Sequence, residues 1–227
     1  MDFIPHVIDG KELESRSGAT FADIDPFTQQ SFADVALGGE AEVEAAIVAA
    51  RTAFDSGPWP RMGHAERAAV LHRLADLITA DADVFGRADT IDMGKPVVET
   101  VGHDVPRSAL NFRFFADHAK LSAAEAFPMD SGHHAYTRHE PAGVVVAIAP
   151  WNFPLMMETW KVAPALAWGN TVVLKPAEDT PHSATLLARY ALEAGMPPGV
   201  LNVVHGFGPD SVGQLLTEDR RVDRLTF

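Results

Sequence analysis

Asn152, Lys175, Glu178 and a run of glycines carry the residue types and spacings here that could do chemistry. Asn152 lies in IAPWNFP (148–154), where an apolar run gives way to a helical pattern. Its side-chain amide could donate a hydrogen bond into a crevice and stabilise a developing oxyanion. The competing reading is an Asn that caps the following helix. LKPAE (174–178) places Lys175 and Glu178 just past a second apolar run. A lysine and a carboxylate at that spacing can take the vicinal hydroxyls of a ribose, and the carboxylate repels a 2′-phosphate, favouring NAD over NADP. The alternative is a solvated ion pair on a loop.

GFGPDSVG (206–213) offers Gly208 and Gly213. It resembles a dinucleotide loop, but its last interval is too long for G-x-G-x-x-G. Glycines admit close backbone approach, and a helix start favours phosphate; a plain strand–helix turn explains them equally. His133, His134 and His139 cluster without metal-ligand spacing and read as a polar surface hairpin. NFRFFADHAK (111–120) mixes aromatics with bases, but Phe112 and Phe115 fall at helical core spacing.

The elements that must position these residues come in two blocks. In the first, HVIDGKEL carries Asp9-Gly10, a type I′ hairpin signal, and DIDPFTQQSFADVAL reads as a second extended pair turning at Asp25-Pro26. Val43, Ala46, Ile47, Ala50 and Phe54 then mark one helix face, stopped by GPWP at 57–60. Val70, Leu74, Leu77 and Ile78 mark the next helical stretch, running to Gly94, and a third covers 97–121 with a kink or restart at Pro106. From Gly143 the chain alternates short apolar strands with helices, a β-α-β-α-β-α-β order ending in VDRLTF, where Val222, Leu225 and Phe227 read as the start of a buried strand. Thr180 is expected to cap the helix of TPHSATLLARYALEAG, with Pro181 in its first turn and Gly195 closing it. This order predicts an α/β fold with a doubly wound, Rossmann-like parallel sheet and ligands at the carboxyl ends of its strands.

Composition narrows the classes. At 47% apolar and 22% charged residues, the 227-residue chain is that of an ordinary globular protein. A formal charge of −13 argues against a nucleic-acid binder and against docking on anionic membranes. No run is apolar and long enough to span a bilayer, and the N-terminus has no signal-peptide pattern, so a cytoplasmic protein is expected. The absence of cysteine excludes disulfides and a thiol nucleophile within these residues.

Taken together, APWNFPLMMETWKVAPALAWGNTVVLKPAEDTP and LEAGMPPGVLNVVHGFGPDSVG closely resemble the NAD(P)-dependent aldehyde dehydrogenase superfamily, over essentially the whole chain. The resemblance implies the N-terminal half of that fold: strands and helices of the cofactor domain over 1–122, an oligomerisation hairpin over 123–141, and an incomplete Rossmann-like core over 142–227. It implies that Asn152 is the oxyanion-hole residue, that Ile148, Pro150 and Trp151 line the cofactor site, and that Lys175 and Glu178 bind the adenosine ribose. Gly208 and Gly213 match the helix start against which the adenosine end of NAD packs, and Phe227 matches the phenylalanine that a Thr-Gly-Ser normally follows. The family's cysteine nucleophile, which forms a thiohemiacetal, and its glutamate base fall beyond Phe227. The expected activity is oxidation of an aldehyde to a carboxylate with NAD rather than NADP, by a homo-oligomer joined through the hairpin. HDVPRSALNFRFFADHAK resembles the branch acting on muconate-type semialdehydes. These 227 residues alone are expected to be inactive; the rival reading is a non-catalytic NAD-binding or subunit-assembly module.

Overall fold

Asp9 and Gly10 both take positive φ, 52° and 71°, as a type I′ turn requires, and they join β2 (His6–Ile8) to β3 (Lys11–Leu13) as an antiparallel pair. The computed structural model describes residues 2–227. The second extended pair is β4 (Thr20–Asp25) and β5 (Gln30–Ala36), whose turn is held by the Asp25 carboxylate: Phe27 N–H donates to it at 2.8 Å and Thr28 Oγ1 at 2.9 Å. With β1 (Asp2–Ile4) these form a three-stranded sheet in the order β1-β5-β4.

The helical block follows. Helix α1 (Glu40–Asp55) starts with Glu42 reaching back to the Gly39 N–H at 2.8 Å, and α2 (His64–Ala80) repeats the device with Glu66 on Gly63 at 2.7 Å. On α1 the buried face is Val43, Ala46, Ile47, Ala50 and Ala53; Phe54 lies half-exposed at its edge, under the Arg51 guanidinium. GPWP ends α1 in a 3₁₀ turn (Trp59–Arg61) that buries Trp59 completely. The stretch up to Gly94 is two helices, since the chain breaks at Asp81 before α3 (Ala82–Met93), and Gly94 closes α3 at φ 74°. The expected helix over 97–121 is also divided. A short α4 (Val97–Glu99) runs into a π turn (Thr100–Asp104), and α5 (Val105–Lys120) restarts with Pro106 in its first turn, where a missing N–H costs nothing. Phe112 is fully buried and Phe115 partly so, which makes that face core rather than a stacking platform.

A small hairpin, β6 (Ala126–Pro128) with β7 (His134–Tyr136), stands as its own two-stranded sheet, and His133, His134 and His139 are all exposed on or beside it. Beyond it the alternating units appear as read: β8 (Val144–Ile148), α6 (Pro154–Ala167), β9 (Thr171–Lys175), α7 (His182–Glu193), β10 (Leu201–Val203), α8 (Val212–Glu218) and β11 (Arg224–Thr226). Their sheet runs β11-β8-β9-β10-β2-β3, with the four β8–β11 strands parallel and the N-terminal hairpin added antiparallel on β10. The sheet is therefore mixed.

Both faces are covered. Val145, Ala147, Val172 and Leu174 face the larger core with α2, α5, α6 and α7, while Val144, Val146 and Val173 face α1 and α8 through Ile47, Val212 and Leu216. Each such valine, leucine or isoleucine contributes about 1.5–3 kcal/mol when fully buried.

Two expectations are corrected. Thr180 does not cap α7: the helix starts at His182, and the His182 N–H goes to Asp92 Oδ2 of α3 at 3.0 Å, so a carboxylate from another helix supplies the cap. The last strand is not buried. Leu225 is 44% and Phe227 90% exposed, and among the described residues β11 pairs with β8 at the edge of the sheet.

Candidate cofactor cleft

Strand order reverses between β8 and β11: from β8 the chain steps outward through β9 to β10, then crosses back to place β11 on the other side of β8, and ligands of open α/β sheets bind at the carboxyl ends of strands beside such a switch. There β9 ends in Lys175. Its side chain is only 3% exposed, and Nζ donates to Glu178 Oε2 at 3.2 Å and to the Pro176 carbonyl at 2.9 Å. Burial lowers the Lys175 pKa from its ordinary value, and the Glu178 carboxylate works against that shift. A solvated loop ion pair would not look like this: the cation is buried and only the carboxylate is partly in water, 37% exposed.

The glycine loop forms the facing wall. Gly206 sits at φ 151°, and a Cβ there would meet Val212 Cγ2 at 2.6 Å. Phe207 N–H donates to Ser211 Oγ at 3.2 Å, while Gly213 N–H and Gln214 N–H return to the Phe207 and Gly208 carbonyls at 2.9 and 3.0 Å. A Cβ on Gly213 would come to 2.9 Å from Gly208 Cα, whereas a Cβ on Gly208 would project into open space. The loop thus folds tightly on α8 and presents bare backbone.

Ile148, Lys175, Glu178, Gly208 and Gly213 converge on one cleft of about 360 Å³. Ala149, Ala177, Pro209, Gln214 and Thr217 complete the lining and carry no motif of their own in the sequence. An apolar slot with bare glycine on one wall and a lysine–carboxylate pair on the other fits the adenosine end of a dinucleotide: a flat base against the slot and vicinal hydroxyls on Lys175 and Glu178.

The remaining sequence-derived residues lie elsewhere. Pro150, Asn152 and Phe227 do not line this cleft. Asn152 is exposed, and it does not cap α6, whose N-cap position is Phe153 with no side-chain cap bond. Trp151, 60% exposed, lines a neighbouring cavity of about 400 Å³ that shares Glu178 with the first. Asp23, Asp92, Asp179 and Thr180 also line that cavity.

With them goes a set of buried carboxyls that the sequence reading missed, two of which line the cavity. Asp23 is pushed up to about 8 by burial and by Asp92, and Asp89 to about 8 by its complete burial. Glu158, also fully buried, is raised well above the ordinary range by burial and by Asp89 and Asp92. Glu158 had one available signal: an acid between Leu155 and Val162 on the apolar face of α6.

Comparison with known proteins accords with this geometry. The family described as "Aldehyde dehydrogenase family" matches residues 13–227. A 2-hydroxymuconic semialdehyde dehydrogenase of Pseudomonas sp. (strain CF600) is 50% identical, over 100% of this chain and 47% of that protein. Aldehyde dehydrogenase family 2 member B4, mitochondrial, of Arabidopsis thaliana is 45% identical, over 97% of this chain and 41% of that protein. The NAD+ complex of an aldehyde dehydrogenase from Bacillus cereus superposes with a TM-score of 0.96 at 40% identity, over 99% of this chain and 45% of that one. The chain spans about half the length of the relatives it matches. By fold, cleft and sequence, it belongs to the aldehyde dehydrogenase family.

Proposed function

We propose that these residues form the cofactor-binding part of an NAD-dependent aldehyde dehydrogenase that converts an aldehyde to a carboxylate. The observation that carries the reading is the Lys175–Glu178 pair, buried at the cation and open at the carboxylate, on the wall of the cleft. Lys175 and Glu178 would hold the two ribose hydroxyls, with Glu178 disfavouring a 2′-phosphate. Gly208 and Gly213 would let the adenosine end approach the backbone, and Ile148 would form the floor. NAD, when bound, supplies the hydride acceptor. Asn152, exposed just beyond β8, is free to donate its amide to the carbonyl oxygen of a substrate, where charge develops as a nucleophile adds.

Two further readings concern substrate and assembly. HDVPRSALNFRFFADHAK and the name of the Pseudomonas relative support a muconate-type semialdehyde as substrate. The exposed β6–β7 hairpin, with Phe127 and Tyr136 48% and 72% exposed, supports subunit assembly through 123–141.

The test is isothermal titration of the purified chain with NAD and NADP, beside an aldehyde panel followed by NADH absorbance. NAD is expected to bind more tightly than NADP, with no aldehyde turnover, since none of the 227 residues is a cysteine. Equal or absent binding of the two cofactors would overturn the cleft assignment; turnover without a contaminating enzyme would overturn the assigned chemistry.

A further inference from the structure

We propose that His6 and His205 form a proton-sensitive link that couples the seating of the N-terminal hairpin to the glycine loop of the cleft. The effect on the cleft rests on the cofactor reading above; the link itself does not.

The two imidazoles stack with ring centroids 5.6 Å apart, and both residues are buried, at 0% and 1% exposure. His205 N–H donates to His6 Nδ1 at 3.1 Å. An amide can only donate, so His6 Nδ1 carries a lone pair and the ring is neutral with its proton on Nε2. On the other ring, Nε2 of His205 lies 3.1 Å from the Pro5 carbonyl and 2.8 Å from Thr185 Oγ1. A carbonyl can only accept, which places the His205 proton on Nε2 and leaves Nδ1 bare. Neither His6 Nε2 nor His205 Nδ1 has a hydrogen-bond partner. A proton added to His6 Nδ1 would set a donor against a donor and break the bond to His205. A proton added to His205 Nδ1 would bury an uncompensated charge.

The surrounding groups sharpen this. From α1, Glu42 faces His6 and favours its charged form. Burial works to raise Glu42, but the Arg16 and Gly39 amides hold that carboxylate below its ordinary value. Lys175 at the end of β9 and His182 on α7 face His205, and both disfavour a second positive charge. Burial dominates for both rings: it pushes His6 down to about 4 and His205 well below 6.5.

The position of the pair gives it reach. His6 belongs to β2, which pairs with β10, and His205 is the residue before Gly206, three before Gly208 in the cleft wall. The His205 carbonyl also accepts the Gly38 N–H at 3.0 Å. Opening the imidazole pair therefore frees the hairpin on one side and the root of the glycine loop on the other. Both rings are neutral when seated and ordinary when released, so protons favour release. The seated form is fully favoured above about pH 6.5 and loses ground as pH falls from there toward about 4.

The test is amide exchange by mass spectrometry at pH 7 and pH 5, as protection factors, on the full chain and on His6→Gln. Gln can accept the His205 N–H and does not titrate. In the parent, protection of 6–13 and 204–214 is expected to fall about twentyfold for each of the two imidazoles released, while α2 and α5 hold; in His6→Gln, where His205 alone still titrates, the fall is expected to shrink to about twentyfold in all. NAD affinity by calorimetry should weaken over the same interval more in the parent than in His6→Gln. Unchanged protection in the parent, or an equal fall in His6→Gln, overturns the link. A larger fall in the parent than in His6→Gln, with no NAD binding at either pH, keeps the link and removes the cofactor reading. Should His6→Gln fail to fold, imidazole ¹⁵N shifts of the parent decide: ordinary titration near pH 6.5 with protection intact overturns the link.

Discussion

Asp223 accepts the backbone N–H of Val144 through Oδ2 at 2.8 Å, so the residue that leads into β11 pins the first residue of β8. Arg51 of α1 donates Nη1 to the same oxygen at 2.6 Å. One carboxylate oxygen thus joins the two strands at the switch point to the helix that covers them. Asp223→Ala is expected to cost about 1.5–3 kcal/mol, the range for hydrogen bonds to a charged group, read by urea denaturation. Gly143→Ala should cost at least as much, because a Cβ there would overlap the Asp223 carboxylate and Gly143 sits at φ 135°. An unchanged midpoint in either variant would show that the pin does not matter.

Glu178→Gln should narrow the preference for NAD over NADP. It removes the charge that repels a 2′-phosphate but keeps an acceptor beside Lys175. Lys175→Ala should weaken NAD by about tenfold, the equivalent of one charge-assisted hydrogen bond. Calorimetric titration with both cofactors separates the two effects: the first variant changes a ratio and the second an affinity.

Gly213→Ala should weaken NAD more than it lowers stability. Its Cβ would press Gly208 at 2.9 Å and push the loop into the cleft, while Gly213 is otherwise in ordinary helical backbone. A melting temperature close to the parent's alongside a lost calorimetric signal is the expected pair of results.

Asp89→Asn should leave the chain nearly unchanged near pH 3 and stabilise it increasingly as pH rises from about 4 toward 8. Complete burial pushes the Asp89 pKa up to about 8 from 3.8. The folded protein keeps its proton where the unfolded chain has lost it, so this group's stability is full below about pH 4 and falls as pH rises toward 8. Asn is neutral throughout and removes that loss. The gain of variant over parent is expected to grow by roughly 1 kcal/mol per pH unit over that interval, measured by thermal melts across the range.

Much of this architecture is legible in the residues themselves. Asp9-Gly10 gives its turn because both residues tolerate positive φ, and Gly94 and Gly195 stand at φ 74° and 91° just past their helices. The converging residues Lys175, Glu178, Gly208 and Gly213 follow from strand ends, which local periodicity marks well. What local pattern does not carry is any feature decided by a distant partner. The break at Asp81 has no Gly or Pro to announce it, and Tyr190 of α7 donates its hydroxyl to Asp81 Oδ2 at 2.7 Å there. Thr180 looks like a cap until Asp92 arrives from α3. The pairing of β2 with β10 is equally silent, since β2 carries no mark of its neighbour. Ala149, Ala177 and Thr217 line the cleft only because the fold brings them there.

That last pairing sets an order of events. His205 and His6 meet across 199 residues of chain, and Asn202 Oδ1 accepts the Asp9 amide across 193. The β2–β3 hairpin is made well before β10 and cannot dock until β10 exists, so while residues 14–200 are being made β2 is a strand without its sheet. Closing so long a loop is slow but costs little more in free energy than closing one half its length, because the entropy grows with the logarithm of length. The β2–β3 edge of the six-stranded sheet is therefore completed by residues made long before their partner strand, and a ribosome-bound intermediate lacking β10 should leave residues 6–13 open to protease while α1 to α5 have already begun to pack.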